Sequence, residues 1–537
     1  MVRRIHAADH IHKAHSSESS WIRASVGQCC FSPRKGKSHM LMKRKEFIRL
    51  GMSTLAIAGL NAMAPGICSA TTSKVFNVHD FGAKGNGVTL DTATVQTAIN
   101  ACTQAGGGTV WVPAGNYPIG TIHLKSNVTL WLDYGASLLG STNHADYPTE
   151  GLRAAREGQS ECLLYAEDAA NIRFEGLGVI DGRGYPKFFP KNAGPGGRDN
   201  RPSLFRFENC RNLTFSGLTY KNPAFWGIHL VDCRDIHFDA VTIRFRNNGA
   251  NNDGMDLDGC ENVLIENCDI ETGDDAICPK SSRNPCRNIV VRNCKLSSAT
   301  AAFKCGTSSR GGFIDVRVTD CYFYDCPMGA IKLELVDGGR LENVKIDRIV
   351  MKNVGNPIFI RLGNRGRWYE KKGIKQIYKA GSSNVGISPE GVPVGILKNI
   401  RISNVDAEVT VEDRAEASRV PYRHHKMVNT PGLTDGEKAR SGPIMITGIP
   451  GHYVEDVVLQ NVKISYPGGG TAEDAKRIVP EDIARYPEQF FFGVLPAWGA
   501  YIRHARNIKF ENVEMQTRAP DQRKKIVLDD VEGFVEQ

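Results

Sequence analysis

CRNLTFSGLTYKNPAFWGIHLVDCRDI, residues 210–236, holds one full period of this chain: Cys210-Arg211-Asn212-Leu213 returns as Cys233-Arg234-Asp235-Ile236. The phrase comes back twice more, as Cys260-Glu261-Asn262-Val263 and Cys286-Arg287-Asn288-Ile289. Without the cysteine, the pair of Asn or Asp with an aliphatic residue extends both ways. It occurs at Asn127-Val128, Asn171-Ile172, Asp315-Val316, Asn343-Val344, Asn399-Ile400, Asp456-Val457 and Asn507-Ile508. The central spacing is about 23 to 28 residues, and a fixed period in this range marks a solenoid. Each unit holds short alternating strands and no helical pattern, which predicts an all-β, right-handed parallel β-helix. The leucine spacing of the competing leucine-rich solenoid is absent. The Asn residues are expected to stack at a turn and bond the backbone. The four cysteines, two residues ahead of the turn, are expected to stack as small core groups rather than as disulfides. No CxxC pair has zinc spacing.

Working outward, Val95, Ala98, Ile99 and Cys102 fall at helical spacing behind Asp91 and ahead of Gly106. This predicts one helix over 92–105, capping the open N-terminal end. The formal charge of +9 is concentrated at the start of the chain. Residues 1–70 hold eleven Lys or Arg against three acidic residues, leaving the remainder almost neutral at 56 against 55. Nothing in that balance suggests a nucleic-acid surface, and no nucleic-acid partner is expected. From Met42, KRKEFIRLG, an apolar run and Cys68-Ser69-Ala70 form the basic, apolar and small-residue succession of an export signal. The expected organisation is an N-terminal extension over 1–41, a signal over 42–70 and a single β-helix over 71–537. The apolar run is too short for a membrane span, so the expected destination is periplasmic or extracellular.

Alternation along the strands places residues on faces. With Ile228 and Leu230 inward, His229 faces out. The same step puts Asp256, Asp258, Lys280, Lys304, Lys332 and Arg361 outside. His229, Lys280, Lys304, Lys332 and Arg361 each lie 16 to 18 residues after their own turn residue, which predicts one column along the axis. Coils about 4.8 Å apart would make that column fit a linear anionic polymer. Beside it, Asp253 and the pair Asp274-Asp275 stand at strand entrances. Carboxylates on successive coils can converge on one bond, one protonated as acid and the others activating water. Crowding raises one pKa enough to keep that proton.

NNDG at 251–254, followed by GDDAICPKS at 273–281, resembles the catalytic core of glycoside hydrolase family 28. That family contains polygalacturonases and rhamnogalacturonan hydrolases folded as right-handed parallel β-helices. GVIDGRG at 178–184, NPAFWGIHLVDC at 222–233 and DFGAKGNG at 80–87 extend the likeness from about Val75 to Phe534. The resemblance implies Asp274 as general acid, with Asp253 and Asp275 activating water for an inverting attack. No metal or other cofactor is expected, because the carboxylates lie on separate coils and no alternating oxygen-ligand loop is visible. The implied partner is an anionic plant cell-wall polysaccharide or oligosaccharide. Thr300-Ala301-Ala302 stands where polygalacturonases carry Gly-His-Gly, and Ala330-Ile331-Lys332 where they carry Arg-Ile-Lys. Lys280, Lys304 and Arg361 are expected to replace those cations. A calcium-dependent pectate lyase and a non-catalytic polysaccharide-binding β-helix share the fold and remain alternatives. The aromatics Phe188, Phe189, Trp226, Trp368, Tyr369, Phe490, Phe491, Phe492 and Trp498 are candidates for sugar stacking or for packing loops onto the solenoid.

Overall fold

In the computed structural model, residues 74–245, 250–366, 393–410 and 442–537 are described. The expected extension and export signal, and the candidate aromatics Trp368 and Tyr369, lie outside them. Strand after strand pairs in parallel with the strand one coil on. Phe205 pairs with Ile228, Ile228 with Met255 and Met255 with Ile277, and equivalent ladders run through Leu213, Ile236, Val263 and Ile289. The chain is a parallel β-helix.

Inward positions stack along the axis. Phe174, Phe215 and Phe238 lie over one another with ring centroids 5.3 and 4.4 Å apart and planes within 10°, each such pair contributing about 0.5–1.5 kcal/mol beyond area burial. Cys210, Cys233, Cys260 and Cys286 are buried free thiols, as the period predicts. A second thiol column, Cys268, Cys294 and Cys321, runs through the next turn.

The turn residues all sit at positive φ, for example Asn212 at 54°, Asp235 at 57° and Asn262 at 56°, the left-handed region that Asn and Asp tolerate best. Their amides do not bond the backbone as expected. Asn171 Nδ2 donates to Asn127 Oδ1 at 2.7 Å, Asn212 to Asn171 at 2.7 Å and Asn288 to Asn262 at 3.0 Å. Identical side chains at coil spacing present an amide N–H to the carbonyl of the next amide, so each satisfies its neighbour. A second ladder, Asp239 to Asn267 to Asn293, was not anticipated from the sequence.

The expected helix is Thr92–Gln104, burying Val95, Ala98, Ile99 and Cys102. Asp91 stands at its N-cap, yet its carboxylate accepts from Lys84 N at 2.8 Å and Gly85 N at 3.0 Å instead of from the helix. It therefore ties the DFGAKGNG loop to the cap. No helix among the described residues is long and apolar enough to cross a membrane.

Candidate active site

Register puts the three aspartates together. Met255 pairs with Ile277 and Ile277 with Phe303, so the residues two before each, Asp253, Asp275 and Ala301, stack on successive coils. Gly254 N donates to Asp275 O at 2.8 Å and Ala276 N to Ala301 O at 2.9 Å. A Cβ on Gly254 would lie 2.3 Å from Ala276 O, so only glycine lets these coils close up. One oxygen from each of Asp253, Asp274 and Asp275 lies within 4.8 Å of the others.

Asp274 and Asp275 share one donor. Thr300 Oγ1 is 3.1 Å from Asp274 Oδ1 and 2.6 Å from Asp275 Oδ1, while Asp275 N donates to Asp274 Oδ1 at 3.1 Å. Lys304 Nζ stands 3.1 Å from Asp275 Oδ2, with Glu488 at 3.5 Å and Glu334 at 3.8 Å. Burial draws the Lys304 ammonium down, but Asp275 and Glu334 outweigh it and hold its pKa well above the usual lysine value. Burial, then the charges of Asp256 and Asp274, hold Asp253 well above the usual carboxylate range. The cluster therefore keeps a proton while no substrate is bound.

The expected single cation column is two columns. His229 pairs with Asp256, Asp256 with Cys278, and Lys304 with Lys332. Lys280 instead pairs with Asp258, and Arg361 with Glu334, one outward step further along the strand. Alternation fixes inside against outside but is blind to a slip of two residues, which is what separates the columns. Nor are these outward residues exposed: His229, Asp256, Asp258, Lys280, Lys304, Lys332 and Arg361 are all buried. Facing away from the solenoid core is not facing water here, because inserted segments cover this row of strands.

Under that cover the groups diverge. Lys280 Nζ is 3.3 Å from Asp256 Oδ1 and 4.7 Å from the centre of the Trp226 ring. His229 meets the edge of Trp226 at 4.9 Å, and neither ring nitrogen has a hydrogen-bond partner. Burial, then Arg206, pushes the His229 imidazole down to about 3, so it is neutral. Asp258 is structural, accepting from Ser282 N at 2.8 Å and Ser282 Oγ at 2.5 Å. Lys332 pairs with Glu488. The Arg361 guanidinium bonds Thr447 Oγ1 at 3.2 Å, Gly448 O at 3.0 Å, and Glu481 O and Asp482 O at 3.0 Å each. The structure thus gathers His229, Lys280 and Lys304 around the aspartates and commits Lys332 and Arg361 to the segment over 473–495.

Residues the sequence reading passed over complete the site. Thr300 was visible as a departure from a motif, but its hydroxyl role was not. Glu157, reached by Ser308 Oγ at 2.5 Å, and Glu488 arrive on insertions with no periodic signal. Buried Arg201 binds Ala224 O at 3.1 Å and Asn251 Oδ1 at 3.0 Å, holding the approach to Asp253. Among the candidate aromatics Trp226 lies in the site, Phe189 packs edge-on against Tyr147, and Phe492 packs under Arg361.

Residues 102–385 match the model of glycosyl hydrolases family 28. The chain belongs to this family. A probable polygalacturonase of Vitis vinifera is 29% identical over 376 residues, covering 64% of this chain and 75% of that protein. An exo-poly-alpha-D-galacturonosidase of Dickeya chrysanthemi is 30% identical over 261 residues, 39% of this chain and 43% of that one. Among solved structures, a family 28 exopolygalacturonase of Yersinia enterocolitica superposes with a TM-score of 0.59 at 21% identity, over 86% of this chain and 78% of that one. A Thermotoga maritima exopolygalacturonase gives 0.60 at 22%, over 82% and 92%. At these identities the two structures speak for the fold. The family 28 assignment makes the chain a glycoside hydrolase, and its phrases GVIDGRG and NPAFWGIHLVDC lie inside the matched segment.

Proposed function

We propose that this protein is an exported hydrolase of galacturonic-acid-containing pectic chains, with Asp274 as general acid and Asp253 and Asp275 activating the attacking water. The carrying observation is the convergence of three carboxylate oxygens within 4.8 Å, with Lys304 and the Thr300 hydroxyl on Asp275. A cation and a donor favour the ionised form of Asp275, which suits a base. The basic, apolar and small-residue succession at 42–70 supports export.

In the reaction, Asp274 gives its proton to the departing glycosidic oxygen as the bond to the anomeric carbon breaks. Water held by Asp253 and Asp275 attacks that carbon from the other side and loses a proton to Asp275, the carboxylate that Lys304 contacts, while Asp253, which holds its own proton more tightly, orients the water; the cycle closes when the proton returns to Asp274 through solvent. Two-carboxylate glycosidases that invert keep their acids roughly 6.5–9.5 Å apart, and retaining ones about 5–5.5 Å. Oxygens all within 4.8 Å of one another do not by themselves select inversion. Three acids share this site, and a water gripped by two of them needs no gap between those two. Lys280, Lys304 and His229 contact the sugars, whereas Lys332 and Arg361 act through the cover they anchor.

Asp274→Asn keeps the shape and removes the proton donor, and the expected loss is about 10² to 10⁴ in rate on pectic oligomers. On an aryl galacturonide with a good leaving group the loss should shrink to a few-fold, while Asp253→Asn and Asp275→Asn stay impaired on both. Equal losses for all three on the activated substrate would overturn the roles. NMR of the first-formed anomer decides between inversion and retention.

The same three oxygens are close enough together to hold a cation, which is what favours the calcium-dependent lyase as second reading. Hydrolysis predicts activity that survives chelation and products without near-ultraviolet absorbance. Chelation-sensitive release of an unsaturated product would establish the lyase.

A further inference from the structure

A second run of cations lies on a different row of strands from the aspartates. Arg317 pairs with Lys345, Lys345 with Arg401, Arg401 with Val458 and Val458 with Lys509. Cations therefore stand at one column position on three consecutive coils and again two coils further on. All four are exposed. Two shallow grooves, of about 560 and 310 Å³, run along this column and are continuous, since both are lined by Lys345 and Arg401.

The acids nearby are already engaged. Asp315 accepts from Asn343 at 2.9 Å and Asp456 from Asn507 at 3.0 Å within the turn ladder. Glu342 pairs with Arg340 at 2.7 Å, and Asp320 with Arg348 at 2.6 Å. Among the described residues no carboxylate pairs with Arg317, Lys345 or Lys509, and Arg401 donates to the neutral Gln460 at 2.5 Å. Like charges one coil apart, about 4.8 Å, repel one another. An anion carrying charges at the same interval would relieve that repulsion and gain charge-assisted bonds. A polymer with one carboxylate on each sugar carries its charges at intervals of the same order, within reach of the long Lys and Arg side chains of this column.

We propose that Arg317, Lys345, Arg401 and Lys509 form a non-catalytic docking stripe for a linear polyuronate chain, holding the enzyme on its polymer while the aspartates work on another face. The choice of polyuronate over other polyanions rests on the pectic substrate proposed above, but binding does not depend on turnover. Two linked contacts with one polymer raise the effective concentration of the second without any new contact at the first.

The test is affinity electrophoresis in gels containing polygalacturonate, dextran sulfate or a neutral galactan, with the Asp274→Asn protein as a non-cleaving background. R317Q, K345Q, R401Q and K509Q are combined on that background and, separately, on the active enzyme. The stripe predicts at least a five-fold weaker dissociation constant for polygalacturonate in the combined variant, no retardation by galactan, weaker retardation by dextran sulfate than by polygalacturonate at equal charge, and an unchanged rate on short oligogalacturonides. An unchanged dissociation constant in the combined variant overturns the proposal, and so does equal or stronger retention on dextran sulfate. Polygalacturonate binding that depends on the stripe, in a protein inactive on every galacturonide, would sustain the stripe and sink the proposed activity instead.

Discussion

Asp256 and Lys280, 3.3 Å apart under the cover of the site, respond to pH unlike a surface pair. Burial, against the pull of Lys280, pushes Asp256 up to about 7 from an ordinary 3.8. Between those values the folded chain holds the proton more tightly than the unfolded chain, so this group's contribution to stability falls as pH rises from about 4 to about 7 and is level above. One proton is worth about 1.4 kcal/mol per pH unit. Asp256→Asn cannot ionise and should gain on the wild type across that window in urea unfolding, by up to this slope. Parallel stability curves would refute the assignment. His229, lowered to about 3, contributes in the opposite sense, its stability being lost as pH falls from about 6.5, but it is present in both proteins and cancels. Thr300 gives a kinetic counterpart. Thr300→Val fills the same space without the hydroxyl that serves Asp274 and Asp275. Losing a donor to an ionised carboxylate raises its pKa, so the acid limb of the kcat/KM profile should move to higher pH with a rate loss of about ten-fold or more. An unmoved limb would show the hydroxyl to be packing only.

At the scale of elements, the segment over 473–495 reaches Lys304 and Lys332 through Glu488, and Arg361 is its anchor, with four bonds reaching both the next strand and this segment. Arg361→Met would leave buried carbonyls without donors, a cost of roughly 2–4 kcal/mol. It should open a protease cut within 473–495 and lower kcat and raise KM together. A substrate ligand would lose affinity for uronates with no new cut, and that pattern would return Arg361 to the binding site. The strands themselves were readable because a period of two and a period of one coil are both written in residue type: Ile228, Leu230, Met255 and Leu257 had to be inside, and Asn212 or Asn262 had to turn. Convergence of Asp253, Asp274 and Asp275 followed from the same count. What covers the site was not readable. Glu157 and Glu488 sit on insertions whose path depends on contacts far away in sequence, and no local pattern carries that path. The two-residue slip between Lys280 and Lys304 was hidden for a related reason, since both positions satisfy the same alternation.

Over the whole molecule, stability comes from ladders repeated coil upon coil, and the cysteines take part in it as small apolar groups. All twelve between Cys102 and Cys326 are free and buried. Several stand directly above one another, as Cys210 does on Cys233, whose Sγ accepts from Cys210 N at 3.4 Å. A chain exported to an oxidising compartment would ordinarily be expected to bridge its thiols. Burial raises the pKa of Cys233, Cys260 and Cys286 above the usual thiol value, whereas hydrogen bonds from stacked thiols draw Cys210 and Cys294 below it; what protects all twelve is burial, which shuts a reagent out of the folded chain. The folded protein prepared as residues 71–537 should therefore give almost no reaction with an aromatic disulfide reagent at neutral pH, and twelve thiols after unfolding in guanidinium. Its Tm should be the same with and without reductant, because no cross-link limits the unfolded state. Fewer than twelve thiols in guanidinium, together with a Tm that drops on reduction, would mean that oxidation has bridged stacked coils, and the ladders would then share the stability with covalent links.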